Sequence, residues 1–158
     1  MPQPKHISRL PIADEAALDE DLQVVWSKCR HKLGLVPNVL QAYSFKPQRL
    51  RNFMTLYNEL MLGESGLSKL EREMIAVVVS AENRCYYCLV AHGAAVRDLS
   101  GDPQLGEMMV MNYRVAELDE RTRAMLDYSV KLTRAPAEIE ESDREALRAA
   151  AKTARINP

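Results

Sequence analysis

The sequence predicts an all-α, compact multi-helix protein, and three observations carry that expectation. Apolar residues recur at three- and four-residue spacing in almost every segment past residue 13. Helix-opening signals precede several of those segments, at Ser68, Asp102, Asp119 and Ser142. No period-2 run bounded by turns, internal repeat or low-complexity stretch interrupts the pattern.

Leu18, Leu22, Val25, Trp26, Cys29 and Leu33 share one face of a first helix that Gly34 ends, and Cys29 reads there as a core residue. Val36-Pro37-Asn38-Val39-Leu40 suggests a turn into a short helix. Leu50, Phe53, Met54, Tyr57, Leu60 and Met61 mark a core-facing helix opening near Pro47. Gly63 and Gly66 break the pattern. Ser68-Lys69-Leu70-Glu71 is a capping box, so a helix starts there and runs to about Glu82, apolar all round from Met74 to Val79 and therefore central. A short connection at Asn83-Arg84 leads to a helix ending near Gly101. Asp102-Pro103 opens a further helix whose Met108, Met109 and Met111 read as core filler. Asp119 caps the helix of Met125, Leu126 and Leu132, and Ser142-Asp143-Arg144-Glu145 is a second capping box. Residues 1–158 read as one domain, with an extended arm over 1–13 and an irregular tail over 151–158.

The 158 residues are 47% apolar, enough for a sizeable core. The net charge of −1, with acids and bases interspersed, gives no electrostatic footprint for nucleic acid or an anionic membrane. The longest strongly apolar stretch, Met74 to Ala81, falls far short of the ~20 residues of a membrane span, and the N-terminus has no signal-like apolar region. A cytoplasmic setting follows, in which a C-x-x-C pair points to catalysis or metal binding rather than a structural staple.

Cys85-Tyr86-Tyr87-Cys88-Leu89-Val90-Ala91-His92 is the informative segment. With three cysteines and three histidines in the chain, C-x-x-C-x-x-x-H would arise by shuffling less than roughly once in a thousand trials. The cysteines share a face near a helix start, where free N–H groups and the helix dipole favour thiolate over thiol. His92 lies four residues from Cys88 and seven from Cys85, which makes Cys88 the attacking thiolate and Cys85, nearer the tip and more exposed, the resolving thiol. Cα atoms at this spacing fall near the ~5.5 Å a disulfide prefers. Glu73, between Leu70 and Val77, points its carboxyl group into apolar surroundings, which suits it to proton transfer; an ordinary first-turn acid favoured by the dipole is the alternative. Glu82 reads as a solvated acid at a helix end. Tyr86 reads as a packing aromatic, and Tyr87 either packs or lines the thiol pocket.

These residues resemble the alkylhydroperoxidase D-like branch of the carboxymuconolactone decarboxylase family, and more closely its peroxidase-related subgroup. The resemblance covers roughly Leu35 to Ala150. A glutamate twelve residues before the first cysteine, C-x-x-C and a histidine four beyond the second are matched by Glu73, Cys85, Cys88 and His92. Leu35 to Asn38, Leu126-Asp127-Tyr128 and Lys131-Leu132-Thr133 also match the subgroup. The resemblance implies the alkylhydroperoxidase D-like fold, a peroxidatic second cysteine, a resolving first cysteine, and a Glu/His proton relay through water. It further implies a dihydrolipoyl-type dithiol reductant, such as a lipoyl-bearing protein, and assembly as trimers or hexamers. Small residues Ala91, Gly93, Ala94 and Ala95 permit close helix contacts in keeping with a homo-oligomer. Two departures stand out. Better-studied hydroperoxidases have a second histidine where this chain has Tyr87, which implies weaker peroxidase activity. Relatives continue into another buried helix after the one at Ser142, which implies that the usual C-terminal helix is missing here.

The expected function is therefore a thiol-dependent peroxidase, an antioxidant oxidoreductase with no cofactor. The alternatives are a non-catalytic redox sensor whose disulfide controls assembly, a general disulfide oxidoreductase, and a lactone decarboxylase-like enzyme, against which the C-x-x-C pair argues. No metal is expected, because a structural zinc site needs a fourth ligand and His6, His31 and Cys29 are isolated. Covalent haem is excluded by Leu89 after Cys88.

Overall fold

The protein is described from a computed structural model covering residues 6–156, with side-chain surroundings through 151. Eight α-helices and no strand occur among these residues, as the periodicity predicts: α1 (Glu20–Leu33), α2 (Asn38–Tyr43), α3 (Pro47–Leu62), α4 (Lys69–Glu82), α5 (Tyr86–Ser100), α6 (Pro103–Asn112), α7 (Glu120–Arg134) and α8 (Glu141–Ile156). Residues 6–13 carry no helix or strand, and the first five residues of the expected arm lie outside the described residues. Contacts divide the chain into two compact units at Gly63.

The first unit buries Leu18, Leu22, Trp26, Val36 and Leu50 together. The α1 face is shorter than its period suggests: Leu18 precedes the helix and Leu33 is exposed, because Gly34 in the left-handed region turns the chain there. On α3 only Leu50 is buried, and Leu60 is exposed. Ser44, itself buried, accepts from the Ala13 N–H (2.9 Å) and donates to the Gln41 carbonyl (2.7 Å), so its hydroxyl is satisfied. Arg51 clamps Asp19 and Asp21 ahead of and within α1.

The second unit is built around α4, which packs against α5, α6 and α7. The capping box is realised in full: the Ser68 hydroxyl accepts from the Glu71 N–H (3.1 Å), and Glu71 Oε2 accepts from the Ser68 N–H (2.7 Å). Glu71 also pairs with Arg121 of α7, tying the start of α4 to its neighbour. Met74, Val77 and Val78 join Val96, Met109, Tyr113, Met125, Leu126 and Val130 in one core. Burying each large apolar side chain stabilises the fold by about 1.5–3 kcal/mol before entropy is set against it.

Of the methionines on α6, Met109 fills the core while Met111 is exposed. Gly106 of α6 faces Arg97 of α5 so closely that a Cβ would fall 2.3 Å from Arg97 Cγ, and a Cβ on Gly93 would meet Val110 at 3.0 Å. Gly93 therefore spends its smallness on contact with α6, whereas Ala91 and Ala94 remain exposed.

Two expectations at the C-terminal end are corrected. The second capping box at Ser142 does not form as expected: α8 begins at Glu141, and Asp143 accepts from the Glu140 N–H (2.8 Å) while pairing with Lys131 of α7. The acid at the third position of the helix does the capping, two residues ahead of the expected frame. The expected irregular tail is helical to Ile156, because alanine, lysine and arginine have high helix propensity and only extend a helix already nucleated. Asn157 and Pro158 lie outside the described residues.

Tyr113 is buried at the end of α6, with its hydroxyl donating to Asp127 of α7 and the guanidiniums of Arg114 and Arg123 at 4.7 Å and 5.8 Å from its ring. Burial, then the Asp127 carboxylate, push the phenol up to about 12. A phenol with a raised value in the folded state contributes full stability below the unfolded value near 10 and loses it as pH rises towards 12. Denaturant melts between pH 9 and 12 should therefore show an alkaline loss of stability that is reduced in Tyr113→Phe.

Candidate functional site

The end of α4 and the start of α5 are joined by three residues whose backbone bonds leave little freedom. The Cys85 N–H donates to the Ser80 carbonyl and the Arg84 N–H to the Ala81 carbonyl, both at 3.0 Å. This crossed pair is the Schellman ending, with Arg84 as the left-handed residue at φ 52°. Cys85 is at once the residue that closes α4 and the N-cap of α5, where its Sγ accepts from the Cys88 N–H at 3.4 Å.

The Cys85 and Cys88 sulfurs are at disulfide-bonding distance, with Cα atoms 5.3 Å apart. Both cysteines are half-buried. What distinguishes Cys85 is its place outside the helix, whereas Cys88 lies in the first turn.

One turn beyond Cys88, His92 Nδ1 lies 2.7 Å from Glu73 Oε2. The Glu73 and His92 side chains are 13% and 22% exposed. The acid at the dipole-favoured first turn of α4 is Glu71, and Glu73 sits a residue pair deeper, turned towards α5. A carboxylate is an acceptor only, so when Glu73 is ionised the imidazole carries its hydrogen on Nδ1 and Nε2 is the nitrogen left to exchange a proton.

Around this centre, Tyr86 is 69% exposed, which corrects its reading as a packing aromatic within the chain, and Tyr87 is 38% exposed. Glu82 is not the solvated acid expected but forms a two-pronged pair with Arg134 of α7, with Nε to Oε2 at 3.0 Å and Nη2 to Oε1 at 3.1 Å. Cys29 packs against the core of the first unit, where burial pushes its thiol up. Among the described residues no group of three or more His, Cys, Asp or Glu side chains is placed to hold a metal ion.

Sequence reasoning named Glu73, Cys85, Cys88 and His92, and the fold brings Glu73 to His92 and Cys85 to Cys88. It missed Arg84. No local signal marks it, because the glycine-free connections after α2, α6 and α7 reach their next helices with no residue in the left-handed region.

An all-helical protein with a vicinal cysteine pair at a helix start and a hydrogen-bonded Glu/His pair one turn further on is the class that fold and site define. The carboxymuconolactone decarboxylase family signature matches residues 47–105. A crystal structure titled as an uncharacterized peroxidase-related protein from Silicibacter sp. TM1040 superposes with a TM-score of 0.87 at 63% identity, covering 94% of this chain and 77% of that one. Another, titled as an alkylhydroperoxidase AhpD core and uncharacterized peroxidase-related protein from Ralstonia eutropha JMP134, gives 0.85 at 41% identity, covering 92% and 77%. No curated protein matches the chain. The chain belongs to the carboxymuconolactone decarboxylase family, in its alkylhydroperoxidase D-like, peroxidase-related branch.

Oxidation should lower the number of titratable thiols in unfolded protein from three to one. In the folded oxidised protein that remaining thiol, Cys29, should react more slowly than a free model thiol at the same pH. Thiol titration with and without denaturant measures both, and three reactive thiols after oxidation would contradict the pairing.

Proposed function

We propose that the protein is a thiol-dependent peroxidase that cycles Cys85 and Cys88 between dithiol and disulfide. The observation that carries this reading is the 2.7 Å contact between Glu73 and His92, which couples a mostly buried carboxylate to the imidazole one turn from Cys88. In the first step the Cys88 thiolate attacks the near oxygen of a hydroperoxide. The O–O bond breaks, Cys88 becomes a sulfenic acid, and the departing alkoxide takes a proton from the His92 side. Cys85 then attacks the Cys88 sulfur, the S–O bond breaks, and water leaves as the disulfide forms. A dithiol such as a lipoyl-type group restores the cysteines by two exchange steps, taking the disulfide onto itself.

Several observations support this setting. The relatives titled as peroxidase-related share the fold over nearly all of the chain. No described helix is long and apolar enough to cross a membrane, in keeping with a cytoplasmic role. The family signature spans the division at Gly63, which favours reading both units as one domain. The exposed Tyr86, Val90, Ala91 and Ala94 on α5 suit a homo-oligomer, a trimer or hexamer. Tyr87, in the place of a second histidine and partly exposed, is our candidate for a phenol that meets the incoming substrate.

Stopped-flow mixing of the reduced protein with hydrogen peroxide and with organic hydroperoxides tests the reading. Disulfide formation at a rate no faster than that of a free thiol at the same pH would refute peroxidase activity. Glu73→Gln should slow the reaction by roughly the 10²–10⁴ typical of a lost acid–base group, with unchanged helicity. When each cysteine is changed to serine in turn, dimedone should label Cys88 in Cys85→Ser, and labelling of Cys85 alone would reverse the assignment.

A further inference from the structure

Resolution of a sulfenic acid on Cys88 depends on how far Cys85 must travel to reach it. The two Cα atoms are 5.3 Å apart with the sulfurs at bonding distance. Residues three apart in an unperturbed α-helix stand at about 5 Å, given a radius of about 2.3 Å and a rise of about 1.5 Å per residue. The bonded pair therefore fits the helix start with its backbone in place.

The first turn of α5 is wound while the sulfurs are together. The Leu89 N–H donates to the Cys85 carbonyl at 2.9 Å, and the Cys88 N–H donates to Cys85 Sγ at 3.4 Å. On the other side the Cys85 N–H is held by the Ser80 carbonyl at 3.0 Å. Cys85 thus has bonds at its N–H, its carbonyl and its sulfur, and none of them has to break for the two sulfurs to meet. One turn further, the 2.7 Å contact of His92 with Glu73 anchors α5 to α4 in the same arrangement.

We propose that the site resolves its sulfenic acid in place, with α5 wound throughout, and therefore resists inactivation by excess peroxide. The proposal rests on the redox reading above and adds how that site behaves when peroxide is abundant. Two reactions compete for the Cys88 sulfenic acid. In one, the Cys85 thiolate attacks the Cys88 sulfur, the S–O bond breaks, and hydroxide leaves and is protonated to water. In the other, the Cys88 sulfenate attacks a second hydroperoxide, whose O–O bond breaks and whose alkoxide leaves and takes up a proton. Cys88 then loses two further electrons and ends as a sulfinic acid, which thiols do not reduce. Groups held in register react as though at effective concentrations that can reach about 10⁵ M, far above millimolar peroxide. A thiol that first had to be freed by unwinding a helix would lose that advantage while the helix stayed wound. The pair therefore suits a scavenger that keeps turning over at high peroxide, and not a sensor that peroxide switches off.

Three measurements on the full chain test this. Reduced protein is mixed with hydrogen peroxide from micromolar to millimolar, quenched with an alkylating agent and read by mass spectrometry. Disulfide formation should rise in proportion to peroxide over the whole range; a plateau would reveal a slow unwinding before resolution and overturn the proposal. At millimolar peroxide fewer than about one Cys88 in a hundred should reach sulfinic acid in wild type, whereas most should in Cys85→Ser. Comparable sulfinic acid in the two proteins would also overturn it. The Leu89 amide should stay protected from hydrogen exchange in the reduced protein as in the oxidised one, and exchange at the rate of an unstructured peptide after reduction would count against the wound helix in the same way. Failure of dimedone to trap any sulfenic acid in Cys85→Ser would instead overturn the redox reading itself.

Discussion

Cys85 is held by two helices at once, and the rest of the site depends on that double hold. Its N–H closes α4 on the Ser80 carbonyl, and its sulfur caps α5 at the Cys88 N–H. Each bond alone is worth about 1 kcal/mol, but together they fix the angle between two helices across a connection of three residues. That angle sets where α5 lies along α4, and so whether a carboxylate on one meets an imidazole on the other. The cysteine closest to the turn is thus an architectural residue before it is a chemical one.

Much of this was legible in the sequence because the relevant signals are local. The capping box at Ser68 and Glu71, the Asp102-Pro103 opening and the glycine stop at Gly101 report backbone hydrogen bonds within a few residues, and the helices begin and end there. The spacing of Cys85, Cys88 and His92 reports position on one helix and needed no tertiary knowledge. Glu73 was harder: its distance from His92 is a contact between helices, and from period alone it was balanced against a dipole-favoured acid. Side-chain burial was read least well. Leu33, Leu60, Met111 and Leu132 carry the helical period yet are exposed, since periodicity marks an apolar face without saying whether this chain covers it. At Ser142 the local signal failed outright, because Asp143 is committed to Lys131 and caps Glu140 instead.

The polar interior contributes specificity rather than driving force. Glu71 serves both the Ser68 cap and Arg121, Asp143 serves both Glu140 and Lys131, and Asp127 receives the Tyr113 hydroxyl. In each case one carboxylate joins a helix end or a buried group to a neighbouring element. Apolar packing around Val77, Val96 and Leu126 would tolerate small slides of one helix along another; these directional contacts penalise them.

The Glu73–His92 contact spans only nineteen positions, all within the α4–α5 hairpin. Such a pair closes a short loop, so little chain entropy is lost in making it, and it can form as soon as these two helices meet. The hairpin is therefore a self-addressed unit: its caps, its turn and its reactive groups are encoded in one continuous stretch, and sequence drift in the remaining helices can reshape the surroundings without scattering the four residues themselves.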